Sequence, residues 1–284
     1  MQVAQEWQWP RPLKNVTVEI ESGHVKYNEL REPYQELYFP LKQVNLPNKL
    51  AKVESQRDIT PFVEKWGLLG FQKLKGEGNN PAVNVKGDPV DWFLQQAKTV
   101  KFALLLINAL QEEEAEDRKE KTLKGLILNN QVKVASLGDM LAHVFAEGPE
   151  IRVRPSFKRS NTGEPLAAST LPFQPETYKG FAAQLVSHLV NVNTKGVNRK
   201  IGLNREGGFV SLISSRSLIE TIWYHIGNTA LNSKGKRKEK GTRLCEECET
   251  PFIVTDNRQR FCPGDEFSKG SLCGARYRVR ENRL

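Results

Sequence analysis

Residues 244–280 read LCEECETPFIVTDNRQRFCPGDEFSKGSLCGARYRVR, and they contain all four cysteines of the chain: Cys245, Cys248, Cys262 and Cys273. The spacing is C-x2-C-x13-C-x10-C. Two thiolates two residues apart fit one turn around a metal ion, and a second pair closes a tetrahedron. The sequence before Cys245 has no cysteine. In a reducing compartment such a set reads as one structural zinc site rather than two disulfides.

The local pattern around these cysteines sets a fold expectation. Thr250–Thr255 reads as one arm of a β-hairpin, Asp256-Asn257 as its turn and Arg258–Phe261 as the returning arm that delivers Cys262. Cys273-Gly-Ala-Arg then opens a helix whose first turn supplies the last ligand. Knuckle, hairpin and ligand-bearing helix outline a treble-clef finger. About forty residues are too few for an apolar core of their own, so metal binding is expected to fold them.

Positive charge flanks the cysteines. Lys234, Lys236, Arg237, Lys238, Lys240 and Arg243 stand against Glu239 alone on one side. Arg276, Arg278, Arg280 and Arg283 stand against Glu281 on the other. On a helix begun near Gly274, Arg276, Arg280 and Arg283 share a face and Arg278 lies off it. Arginine forks suit phosphate oxygens and guanine edges. Nucleic acid is therefore the expected partner, DNA ahead of RNA. Candidate contacts are Arg276, Arg278, Arg280, Arg283, Lys236, Arg237, Lys238 and Arg243. The plainer alternative is a solvated helix whose arginines pair with Glu246, Glu247 and Glu249.

Cys-x-x-Cys, Arg260-Phe261-Cys262 and Cys273-Gly274-Ala275-Arg276 with alternating arginines resemble the CGNR-type zinc finger. That finger closes bacterial proteins with an N-terminal ABATE domain, regarded as stress-induced transcription regulators. The resemblance departs at Ala275, where the family has Asn, and in a longer loop between Cys262 and Cys273. It covers about a quarter of the chain and implies a DNA-binding regulator.

The whole chain has 284 residues, 38% hydrophobic and 26% charged, with a formal net charge of +9. That length suits one large or two small domains, and the charge favours polyanionic partners. Met1–Trp7 lacks the basic and apolar regions of a signal peptide. The longest apolar run, Phe102–Ile107, is far short of a membrane span. A cytoplasmic protein with no membrane partner is expected.

Upstream of the cysteines, alternation predicts a hairpin over 16–30 turning at Ser22-Gly23, and another over 200–213. Helices are predicted from Thr60-Pro61 to Gly67, and from Asp88-Pro89 as a cap through Ile107 and on to Lys121. Further helices are predicted over 136–149, from Pro175 through Val190, and from Ser217 to a stop at Gly227. Residues 75–88 and 151–175 read as connections. The class is thus α+β: a mainly helical domain with short antiparallel hairpins over 1–227, a basic linker over 228–243 and the finger over 244–284. The first of these is expected to bind a small-molecule or protein effector.

No nucleotide-binding glycine pattern is present: Gly76-Glu-Gly78 lacks the lysine of a P-loop and the third glycine of a Rossmann turn. His24, His143, His188 and His225 form no zincin pair. With every cysteine assigned to metal and the site closed, no catalytic residue is named. Two other readings remain beside the nucleic-acid one. In one the finger binds protein and serves as an interaction or defence module. In the other an enzyme site lies in residues 1–227.

Overall fold

The computed structural model describes residues 3–4, 7–13, 16–27, 35–71, 87–112, 115–129, 178–203, 209–232, 242–254, 258–263 and 271–281. The expected helix over 136–149, the connections over 75–86 and 151–175, and the turn at 205–208 lie outside them. The described chain is α+β, with helices and short, mostly antiparallel strands. It divides into two compact units, residues 1–104 with 190–284, and residues 105–189.

In the first unit, β1 (Val3–Ala4), β2 (Trp9–Pro12), β3 (Val18–Glu21), β4 (His24–Tyr27) and β5 (Gln35–Tyr38) precede a 3-10 turn at Pro40–Lys42. β3 and β4 form the expected hairpin, with Ser22 and Gly23 at positive φ. β2 pairs with β5. Two short helices follow, α1 (Leu46–Leu50) and α2 (Gln56–Trp66).

α2 begins earlier than its Pro61 suggests. Ser55 is the cap, and Asp58 reaches back to the Ser55 N–H at 2.8 Å, closing a capping box. Pro61 therefore sits in the second turn rather than the first. Gly67 ends the helix at φ 84°, where a Cβ would lie 2.3 Å from the Pro10 carbonyl oxygen. The polar tips of buried aromatics fix the next residues: Trp9 Nε1 donates to Leu68 O and Tyr38 Oη to Trp66 O.

Asp88 does not cap its own helix. Asp88–Pro89 forms β6 beside β4, and α3 (Val90–Gln111) starts behind it. The Asp88 carboxylate is fully buried and accepts the N–H groups of Leu69, Gly70 and Phe71 at 2.5, 3.2 and 2.8 Å. Burial pushes its pKa up to about 6 against the pull of these three donors.

β7 (Asn198–Leu203) and β8 (Phe209–Ser214) make the second expected hairpin, and β1 adds in parallel to β8. α6 (Leu218–Asn232) follows and buries Ile222, Trp223 and Ile226. It does not stop at Gly227. There the missing side chain admits a neighbouring helix residue: a Cβ would lie 2.8 Å from Val190 Cγ1. Residues 228–232, expected in the linker, are thus helical. At its start, Glu220 bonds the Arg216 N–H and guanidinium while its own N–H reaches Ser217 Oγ.

The second unit holds the end of α3, α4 (Glu116–Asn129) and most of α5 (Tyr178–Asn193). The expected continuous helix from Asp88 to Lys121 breaks after Gln111. Acids suit the N-terminus of a new helix, where Glu116 and Asp117 stand, better than the C-terminus of an old one. Glu120 of α4 receives the first N–H groups of α5, from Tyr178 and Lys179. Leu123, Ile127, Ala182 and Leu185 are buried.

β9 (Thr242–Leu244), β10 (Pro251–Ile253) and α7 (Leu272–Glu281) complete the described chain. These C-terminal elements fall in the first unit together with α1, so the compact division does not follow the 228–243 boundary expected from sequence. Among the described residues, no helix is long and apolar enough to cross a membrane.

Candidate metal centre

The hairpin at the cysteines is not the one its alternation suggests. β10 pairs with β9, in register Leu244↔Pro251, Arg243↔Phe252 and Thr242↔Ile253, so the strands flank the first cysteine pair. Residues 258–261 form no strand. The expected returning arm is therefore not formed at these residues, and β10 pairs backward instead. Cys245 and Cys248 sit at the hairpin tip. The Cys245 N–H bonds Thr250 O at 3.1 Å, the Glu249 N–H bonds Cys245 O at 2.8 Å, and Glu249 takes a positive φ of 53°. A bond from the Glu246 N–H to Arg260 O, 3.2 Å, ties the knuckle to the segment carrying Cys262.

Cys273 lies in the first turn of α7. Ser271 caps that helix, its Oγ accepting the Gly274 N–H at 3.2 Å. The positive end of the helix is thereby turned to the cysteines. Gly274 leaves room for Phe261, whose ring lies tilted against Tyr277 with centroids 5.1 Å apart. Phe252, Val254, Cys245, Cys262 and Cys273 form one small buried cluster, with Phe261 packed on it.

The four sulfurs converge. All four cysteines are free thiols, and their Sγ atoms lie within 4.8 Å of one another. Cys262 Sγ is 3.9 Å from Cys248 Sγ and 3.5 Å from Cys273 Sγ. A tetrahedron with metal–sulfur bonds of about 2.3 Å has edges of about 3.8 Å. The two Cys262 separations bracket that edge, and no pair of the four sulfurs is more than 4.8 Å apart. Cys245, Cys262 and Cys273 are buried and Cys248 is exposed. Four sulfur donors leave no open coordination position, so the arrangement suits a structural ion rather than a catalytic one.

The thiols are not electrostatically equal. Burial raises the Cys248 pKa, but hydrogen bonds from Thr250 and the Cys245 and Cys273 thiols outweigh it, bringing it down to about 7. Burial pushes Cys262 up despite the Lys52 ammonium beside it. Burial also raises Cys273, and the Cys262 and Cys248 thiols add to the effect. A metal ion would reverse these upward shifts, because a coordinating thiol is deprotonated.

Three residues of and just after α1 reach this centre, and nothing in the sequence marks them. Asn48 Oδ1 accepts the Ile253 N–H at 3.0 Å, with Asn48 only 1% exposed. Lys49 Nζ reaches Pro263 O at 3.4 Å and Lys52 Nζ lies 2.9 Å from Cys262 Sγ.

The expected basic face fares differently. Lys236, Arg237, Lys238 and Arg283 lie outside the described residues. Arg243 projects from β9 and donates to Gln259 O at 3.4 Å. Arg280 pairs with Glu247 at 3.1 Å, and Arg260 pairs with Glu246. Arg260 and Arg280 both lie over the Tyr277 ring. Arg276 and Arg278 are exposed and make no ion pair among the described residues. The outward face of α7 also carries Leu272 and Val279, 63% and 52% exposed. The alternative in which arginines pair with the knuckle glutamates is thus realised at Arg280.

Comparison of the chain with protein families, curated proteins and solved structures returns no match.

Proposed function

We propose that the chain is a zinc-containing nucleic-acid-binding protein, its C-terminal segment held by one structural zinc ion on Cys245, Cys248, Cys262 and Cys273. The convergence of four thiols within 4.8 Å of one another carries this reading. Zinc is the natural occupant, because a closed set of four thiolates suits its geometry and it needs no redox partner. Charge supports the nucleic-acid part. Arg276 and Arg278 stand exposed on α7, and the Lys234–Arg243 stretch adds a basic arm. The resemblance to the CGNR-type finger points the same way, toward a transcription regulator acting on DNA. The remaining chain then serves as scaffold or effector-binding domain.

A second reading, a protein-docking module, is favoured by two observations. Arg280 is spent on Glu247, and Leu272 and Val279 stand outward between the remaining arginines. Electrophoretic shifts against duplex DNA, single strands and RNA at two salt concentrations separate the two. Phosphate contacts release counterions, with a slope of roughly one per contact. Nucleic-acid binding predicts a shift that weakens steeply with salt. Absence of any shift at low salt favours protein docking.

A further inference from the structure

Resting on the reading of the four cysteines as a metal centre, we propose that Lys52 is its outer-shell cation, donating an N–H···S bond to the Cys262 thiolate. Four thiolates around one divalent ion leave a net charge of about −2. Three of these cysteines are buried, and a buried net anion is costly unless a cation or hydrogen bonds compensate it. The first turn of α7 supplies partial positive charge at Cys273. The Lys52 head group reaches a ligand sulfur, Cys262 Sγ, at 2.9 Å. Asn48 and Lys49 fix the approach on the same side, one on the Ile253 N–H and one on the Pro263 carbonyl.

The contact spans 210 residues of sequence, so it also fastens the centre to the end of α1. Lys52 itself is an exposed residue, so its removal opens no cavity. Its role is to position charge, not to bind metal. Outer-shell partners of this kind typically change metal affinity by roughly 10–100-fold when removed. The donated hydrogen bond also lowers the energy of the sulfur lone pairs, which sets the energy of sulfur-to-metal charge transfer and the nucleophilicity of the bound thiolate.

The test uses the full chain, loaded with zinc and separately with cobalt(II), as wild type, Lys52→Met, Lys52→Gln and Lys52→Arg. The wild type is expected to hold one metal ion. Lys52→Met is expected to hold one too, to release zinc to a chromophoric chelator roughly tenfold faster, and to move the sulfur-to-cobalt band to longer wavelength. Lys52→Gln, a neutral donor, should fall between, and Lys52→Arg should restore the wild-type band. Faster release with an unmoved band would mean a docking role alone and overturn the proposal. So would an arginine variant that behaves like methionine. Wild type without bound metal would instead overturn the metal-centre reading itself.

Discussion

α1 packs against α6 on one hand and against β10 on the other, and the two sides bury very different material. Away from the cysteines the buried core is aliphatic and aromatic: Leu46, Leu50, Ile59, Phe93 and Trp223 are all at most 1% exposed. On the β10 side Phe252 and Val254 share a small cluster with three buried cysteines. The first core gains its stability from area removed from water. The second has few apolar residues, and at its centre are four thiols that could hold a metal ion. One helix thus joins an apolar core to a cluster of thiols that could hold a metal ion.

The largest expected effect lies on the metal side. Cys262→Ser or Cys273→Ser should remove the ion and with it the folding of residues 242–281, an effect on the order of 10 kcal/mol for a structural zinc. Amide exchange should show protection lost at 245–254 and 272–280, loosened at α1, and kept through α2 and α3. Full protection of 245–254 in either variant would break the comparison.

On the body side the sharpest expectation concerns Asp88. Three N–H groups lose their acceptor in Asp88→Ala, which should cost several kcal/mol at roughly 1–3 each. Its pKa is raised from 3.8 to about 6 in the fold by burial, so the folded state holds the proton more tightly than the unfolded one. The carboxyl's contribution is therefore fully present below pH 3.8 and declines as pH rises through 6. In urea titrations the advantage of wild type over Asp88→Asn should shrink between pH 4 and pH 7. A growing advantage would mean that the three donors, not burial, set this group.

A matched pair of truncations compares the cores directly. In metal-loaded protein, Ile59→Ala and Phe252→Ala should each cost about 2–5 kcal/mol. After chelation the cost of Ile59→Ala should persist, while that of Phe252→Ala should vanish because its surroundings are already unfolded. Differential scanning calorimetry with and without chelator reads both.

Much of this contrast was legible in sequence. Cysteine spacing announced the convergent thiols, and alternation at Val18–Tyr27 announced a hairpin, because both signals are local. The errors share a cause: long-range partners decided what a local motif did. Asp88-Pro89 has the look of a helix cap, yet its acceptors serve Leu69–Phe71, nearly twenty residues upstream. Gly227 has the look of a stop, yet it makes room for Val190. The Thr250–Thr255 run suggests forward pairing, yet its Pro251–Ile253 strand pairs backward with Thr242–Leu244. Asn48 and Lys52 gave no signal, since a short helix with polar residues near its end reads as surface.

The smallest expected effect on stability is at the surface of α7. Arg276→Ala with Arg278→Ala should change stability by less than about 0.5 kcal/mol per site and leave metal bound. If the nucleic-acid reading holds, it should weaken binding and flatten the salt dependence by roughly one per lost contact. Arg280→Ala, by contrast, removes an ion pair with Glu247 and should register in the melting of the metal-side core first.

The metal content of the freshly reduced full-length chain, by elemental analysis paired with native mass spectrometry, tests the central claim most directly. One zinc per chain is expected, with Cys245, Cys248, Cys262 and Cys273 shielded from alkylation until a chelator is added. A chain with no bound metal and four reactive thiols, or with these cysteines joined as disulfides, would contradict it.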